Sequence, residues 1–237
     1  MTAVASFAST KGGVGKTSLV MSLASDLRRR GKSVLLLDCD PNRHLAEWAH
    51  RRGDADVVAI DEITEANVRQ TVQTHAPNYD HTLIDLAGFG NLTMLYAFSV
   101  SDVVLIPTQQ SYMDIKETVR TYKVVSDSVG VLRHTPSCSI VIVRTQAAIQ
   151  SRVDRHARGL LSEQGVPVFS TQLIERSLLK EMTYTGRGPG EIDPDSNADI
   201  NVRILTDEFI AFATAAPINP LVARTTATGS APNAIAS

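Results

Sequence analysis

The run Lys11-Gly12-Gly13-Val14-Gly15-Lys16-Thr17 constrains this chain more than any other feature. It follows a short apolar stretch, 4–8, and precedes an amphipathic run, 18–30. Strand, glycine loop, helix is the order in which a backbone can wrap a phosphate group. Glycine permits the turn that aims N–H groups at an anion, and the helix N-terminus adds its positive dipole. Lys16 is then expected to reach the β- and γ-phosphates, and the Thr17 hydroxyl to ligate Mg²⁺. Gly12, Gly13, Val14, Gly15 and Ser18 complete the expected cradle. The ordinary form of the loop, G-x-x-x-x-G-K-[ST], has glycine where this chain has Thr10, and a second lysine, Lys11, stands at the entrance. A nucleoside triphosphate is the expected ligand.

Short apolar runs at 34–37, 57–60, 82–84, 103–106 and 139–143 read as buried strands. Periodic segments at 45–52, 64–75, 92–100, 115–129 and 153–164 lie between them and read as helices. This alternation, with β-branched strands, predicts an α/β fold: one doubly wound, mostly parallel sheet with helices on both faces. A late strand is expected at 166–169 and a last helix at 202–215. One domain over 1–214 suits the 237 residues. From Ala215 the chain turns to Ala, Pro, Thr, Gly, Ser and Asn, so 215–237 is expected to be a disordered tail.

Composition excludes several classes. Mean hydropathy is −0.02, and no apolar run approaches the roughly 20 residues that span a bilayer. No basic-then-apolar leader opens the chain, which points to the cytoplasm. Cys39 and Cys138 lie in apolar stretches without metal or redox spacing and are expected to pack in the core. A net charge of −2 gives no global signature of nucleic-acid binding, so any such activity needs a local patch.

Ligands of such sheets gather at the C-terminal ends of the strands. The strand ending at Asp85 has the form of a metal-holding segment, apolar residues and then an aspartate that binds Mg²⁺ through water. Gly88 and Gly90 follow it and suit a mobile loop that senses the γ-phosphate. An earlier strand ends Asp38-Cys39-Asp40-Pro41-Asn42. One reading of Asp40-Pro41 is a helix N-cap with proline at the first helical position.

Lys11 to Thr17 resembles the deviant phosphate-loop box, KGGxGK[ST], of the ParA/MinD family of ATPases. The resemblance covers residue 3 to about 212. It implies that Lys11 contacts phosphate across a nucleotide-sandwich homodimer, as an arginine finger would. It also implies that Asp40 positions the attacking water and that Asp38 lies near Mg²⁺ and phosphate. Ile106-Pro107 through Ser111 to Asp114 is similar to the family's I-P-x-x-x-S-x-x-D strand, part of its nucleotide and dimer surface. Arg144 and Thr145 stand where relatives contact adenine. The short form resembles partition ATPases, and residues 39–48 are also similar to VirC-type ATPases associated with DNA transfer.

Within the family such a chain would hydrolyse ATP, slowly until stimulated by a centromere-bound or cargo adaptor, and would bind DNA non-specifically on the nucleoid. Eight Lys/Arg against four acids lie between Arg133 and Arg187. Arg152, Arg155 and Arg158 recur at i, i+3 and i+6, and Arg176, Lys180 and Arg187 match the late segment that supplies basic contacts in relatives. Arg203 is a further candidate. No operator-reading module is expected ahead of the first strand. The last helix carries Asp207 and Glu208, against a membrane-binding role. The alternatives are positioning of a protein cargo by the same cycle, and a nucleotide-switched recruitment factor that binds no DNA.

Overall fold

The computed structural model describes residues 3–88, 92–128, 134–144 and 152–222. Among the described residues, seven strands form one sheet: β1 (Ala3–Phe7), β2 (Val34–Asp38), β3 (Val57–Ile60), β4 (His81–Asp85), β5 (Val103–Thr108), β6 (Ser137–Arg144) and β7 (Leu173–Ile174). Their order is β3-β2-β4-β1-β5-β6-β7, and every pairing is parallel. The helices are α1 (Lys16–Arg29), α2 (His44–Arg52), α3 (Val68–His75), α4 (Leu92–Val100), α5 (Tyr112–Ser128), α6 (Arg152–Glu163), α7 (Ser177–Thr185), α8 (Pro189–Ile192) and α9 (Asn197–Ala215).

Alternate side chains of a strand point to opposite faces, so an all-apolar strand must be covered twice. Val34 and Leu36 of β2, with Phe7, Leu105 and Val141, meet α1, α2, α7 and α9. Leu35 and Leu37, with Val4, Ile84, Ile106 and Ile140, meet α3, α4, α5 and α6. The doubly wound architecture expected from the alternation is the one found.

Several boundaries differ for local reasons. Asn67 accepts from Thr64 N at 2.8 Å and donates to Glu62 O at 2.7 Å, which builds a turn and delays α3 to Val68. The late strand shrinks to a single bridge between Val168 and Ile140, since Pro167 has no N–H to continue a ladder. Leu173 and Ile174 instead pair with Val143 and Arg144. Ser196 caps α9 by accepting from Asp199 N at 3.2 Å, five residues before the expected start. Residues 216–222, inside the segment expected as tail, pack against the body. Asn219 is fully buried; its N–H donates to Asp102 Oδ1 at 2.8 Å and its amide to Ser99 O at 2.9 Å.

Candidate functional site

The order of the sheet seats β4 between β1 and β2, so Asp85 pairs with Phe7 on one side and Asp38 on the other. The glycine loop leaves β1 at that point. Gly13 (φ +76°) and Gly15 (φ +90°) take left-handed conformations that side chains resist. A Cβ on Gly15 would also stand 2.8 Å from Val143 Cγ1, so the end of β6 presses on the loop. α1 starts directly behind it, with Leu19 N donating to Gly15 O at 2.9 Å.

Lys16 Nζ lies 2.6 Å from Asp85 Oδ1, and Thr17 Oγ1 donates to Asp85 Oδ2 at 2.7 Å. Asp85 is fully buried, and burial pushes its carboxyl above the usual range while Lys16 pulls it back. Three expected residues therefore meet at one point: a cation for phosphate, and a hydroxyl and carboxylate of the type that holds Mg²⁺. Gly88 follows and is exposed, whereas Gly90 lies outside the described residues.

Asp38 spends both oxygens on the backbone, accepting from Asp40 N and Ala46 N at 3.0 Å each. It fixes the loop after β2 beside Asp85, with one backbone N–H on each oxygen. Asp40 accepts from the N–H and the amide of Asn42, both at 2.9 Å. α2 begins only at His44, behind Arg43 in a left-handed conformation, so Asp40 is a turn residue and not the helix cap. Burial, with Asp85 and Asp38 nearby, pushes the Cys39 thiol far up, and burial takes Cys138 to about 12. Both thiols stay protonated.

Lys11 reaches sideways to Asp114 in the first turn of α5 and pairs with its carboxylate. That contact, with the Ser111 hydroxyl and N–H, holds the Asp114 carboxyl below its usual range in spite of burial. Lys11 keeps about half its side-chain surface exposed at 48%. Arg144 ends β6, its side chain outside the described residues, and Thr145 lies outside them as well.

The basic residues expected to form one patch are divided between the two layers. Arg152, Arg155 and Arg158 belong to α6, and Arg176, Lys180 and Arg187 to the α7 region on the other face. Arg158 turns inward, donating to Phe169 O at 2.9 Å and pairing with Asp154. Arg203 lies 3.0 Å from Asp195, and Lys180 3.5 Å from Glu175. Arg152, Arg155 and Arg187 are exposed, and among the described residues no carboxylate pairs with them.

Sequence reasoning missed the weld between α2 and the corner where α7 leads into α8. Arg52 grips Glu191 with two nitrogens at 2.6 and 2.7 Å and donates to Gly186 O at 3.1 Å. Gly186 (φ +71°) has no room for a side chain, since a Cβ would sit 2.5 Å from Arg52 N.

A family model described as VirC1 protein matches residues 1–222. Protein ParA of Rhizobium radiobacter is 27% identical over 210 residues, covering 88% of this chain and 93% of that protein. The maintenance of carboxysome distribution protein A of Halothiobacillus neapolitanus is 24% identical over 183 residues, 76% of this chain and 82% of its own length. A solved structure of the septum site-determining protein MinD from Pyrococcus horikoshii, complexed with Mg-ADP, aligns with a TM-score of 0.68 at 18% identity. It covers 88% of this chain and 96% of that one, and shares the fold.

Proposed function

This chain belongs to the VirC1 protein family and is an ATPase of the ParA/MinD type, and we propose that it partitions DNA. In this reading two copies close over ATP and Mg²⁺, hold plasmid or chromosomal DNA without regard to sequence, and release it on hydrolysis. One observation carries the nucleotide half of it: Lys16, Thr17 and Asp85 converge where β1 and β4 end. Such a cluster suits a triphosphate and its metal, because the buried carboxylate and the ammonium already balance each other's charge. Bound Mg²⁺ supplies neutralisation of the charge that phosphoryl transfer develops.

The residues divide the work. Lys16, now on Asp85, would hold the phosphates, and the Thr17 hydroxyl and Asp85 carboxylate would hold the metal. Asp38 holds the neighbouring loop, which lets Asp40 orient the attacking water. Lys11 of the partner subunit adds positive charge from outside. An adaptor bound to a centromere or cargo completes the geometry and sets the rate, and the nucleoid is where the protein resides. Similarity to the carboxysome distribution protein favours a second reading in which the cargo is a protein complex carried by the same cycle.

A DNA-retention assay with ATP, ADP or no nucleotide, across a salt series, tests the proposal. Retention is expected with ATP alone and should fall steeply with salt. Lys16→Ala should abolish both ATP binding and retention. Absence of retention with ATP at low salt would leave a recruitment switch that works without DNA.

A further inference from the structure

Thr10, the residue that departs from the ordinary phosphate loop, is bonded to α5. Its hydroxyl donates to Glu117 Oε2 at 3.2 Å and accepts from Thr121 Oγ1 at 3.1 Å. Glu117 and Thr121 are one helical turn apart, so both face the loop. Lys11 holds Asp114 one turn earlier, and Gln109 donates to Gly13 O at 3.3 Å just ahead of the helix. The entrance of the phosphate loop is thus tied to α5 along about two turns.

The other side of α5 carries Lys116, Arg120 and Lys123 at i, i+4 and i+7, all exposed. Arg120 lies 4.0 Å from Glu117, whereas no carboxylate pairs with Lys116 or Lys123 among the described residues. α6 packs beside α5 in the same layer and adds exposed Arg152 and Arg155. A groove of about 430 Å³ between the helices is lined by Tyr112, Ile115, Arg152, Val153 and His156. Asp114 and Asp154 are buried and engaged, and Glu117 is half-buried against Thr10. With Arg120 set against Glu117, that leaves the exposed Asp127 and Glu163 to offset four exposed cations, Lys116, Lys123, Arg152 and Arg155.

We propose that the outer face of α5 and α6 is the surface that grips the DNA backbone, and that Thr10's bonds to Glu117 and Thr121 make the grip depend on nucleotide. The proposal rests on the DNA reading above. Phosphate contacts need charge and reach and little shape, which suits long cations unmatched by acids. Lys116 and Lys123 are separated by about 10 Å along the helix axis at 1.5 Å per residue, about three phosphate steps of one strand. The α7 residues Arg176 and Arg187 lie on the opposite layer, and one duplex cannot lie on both faces of a single subunit.

The test compares retention of a random-sequence duplex by the whole protein and two double variants, with ATP at low salt. Lys116→Glu with Lys123→Glu is expected to lose at least about tenfold in retention and to flatten the salt dependence by about two phosphate contacts. Arg176→Glu with Arg187→Glu should stay within about twofold of the unaltered protein, since phosphate contacts on the α5–α6 face are intact. ATP affinity and the unfolding midpoint, measured on each, should not move. The reverse pattern overturns this face while leaving DNA binding in place. Failure of the unaltered protein to retain DNA in any nucleotide state removes the DNA reading, and this proposal with it. Thr121→Val examines the link: ATP affinity should persist while the ratio of retention with and without ATP falls at least about threefold, by loss of one coupling hydrogen bond. An unchanged ratio overturns the link.

Discussion

Acid should weaken this fold through one side chain, His81. It opens β4, is 7% exposed, and packs 6.0 Å from the Phe209 ring, with Nδ1 unpartnered among the described residues. Burial holds its pKa at about 4 against the ordinary 6.5, with Asp80 pulling weakly the other way. A base depressed in this way binds a proton more readily once the chain unfolds. Stability present above 6.5 is therefore lost as pH falls toward 4, a window set by those two values. Linkage at about 1.4 kcal/mol per pH unit puts the full loss at about 3 kcal/mol, of which about 2 is reached by about pH 5.

His81→Phe removes the titration and keeps a ring against Phe209. Urea unfolding of both proteins between about pH 7.5 and about pH 5 should give a variant curve flatter by about 2 kcal/mol. Parallel stability curves would refute the reasoning, for they would mean that the native imidazole is as free to take a proton as the unfolded one.

Three further outcomes follow from geometry. Gly15→Ala combines a left-handed backbone with a Cβ 2.8 Å from Val143 Cγ1; calorimetric titration should show at least about tenfold weaker ATP binding, from about 1–2 kcal/mol of strain. Asp40→Ala should accumulate an ATP-bound dimer on size exclusion, and a normal turnover rate would remove Asp40 from catalysis. Asn219→Ala deletes amide bonds to Ser99 O and Ser101 O and should lower stability by about 1–3 kcal/mol in urea titration.

Strands β1 to β6 were legible because their runs are mostly apolar on both faces and the helical segments α1 to α6 between them are periodic, whereas the two-residue β7 was not. The phosphate loop was legible because its chemistry lies within seven consecutive residues. Long-range pairs were less so. Nothing local in Asp38 reveals that both its oxygens are taken by backbone N–H groups, or that Asp114 would hold Lys11 from 103 residues away. The basic residues read as one cluster because they are close in sequence, yet α6 and α7 flank the short β7 and pack on opposite sides of the sheet. Short α7 and α8 were hidden by Gly186 and Gly188, which serve tight packing and not flexibility.

The insertion of β4 between β1 and β2 has a consequence for the newborn chain. Lys16 and its carboxylate are 69 positions apart, and they meet only after a later strand has slotted into the middle of earlier ones. Before β4 is seated there is no pocket, so ATP cannot guide that pairing. It can only reward molecules that have already finished it, drawing the population toward the completed state by mass action.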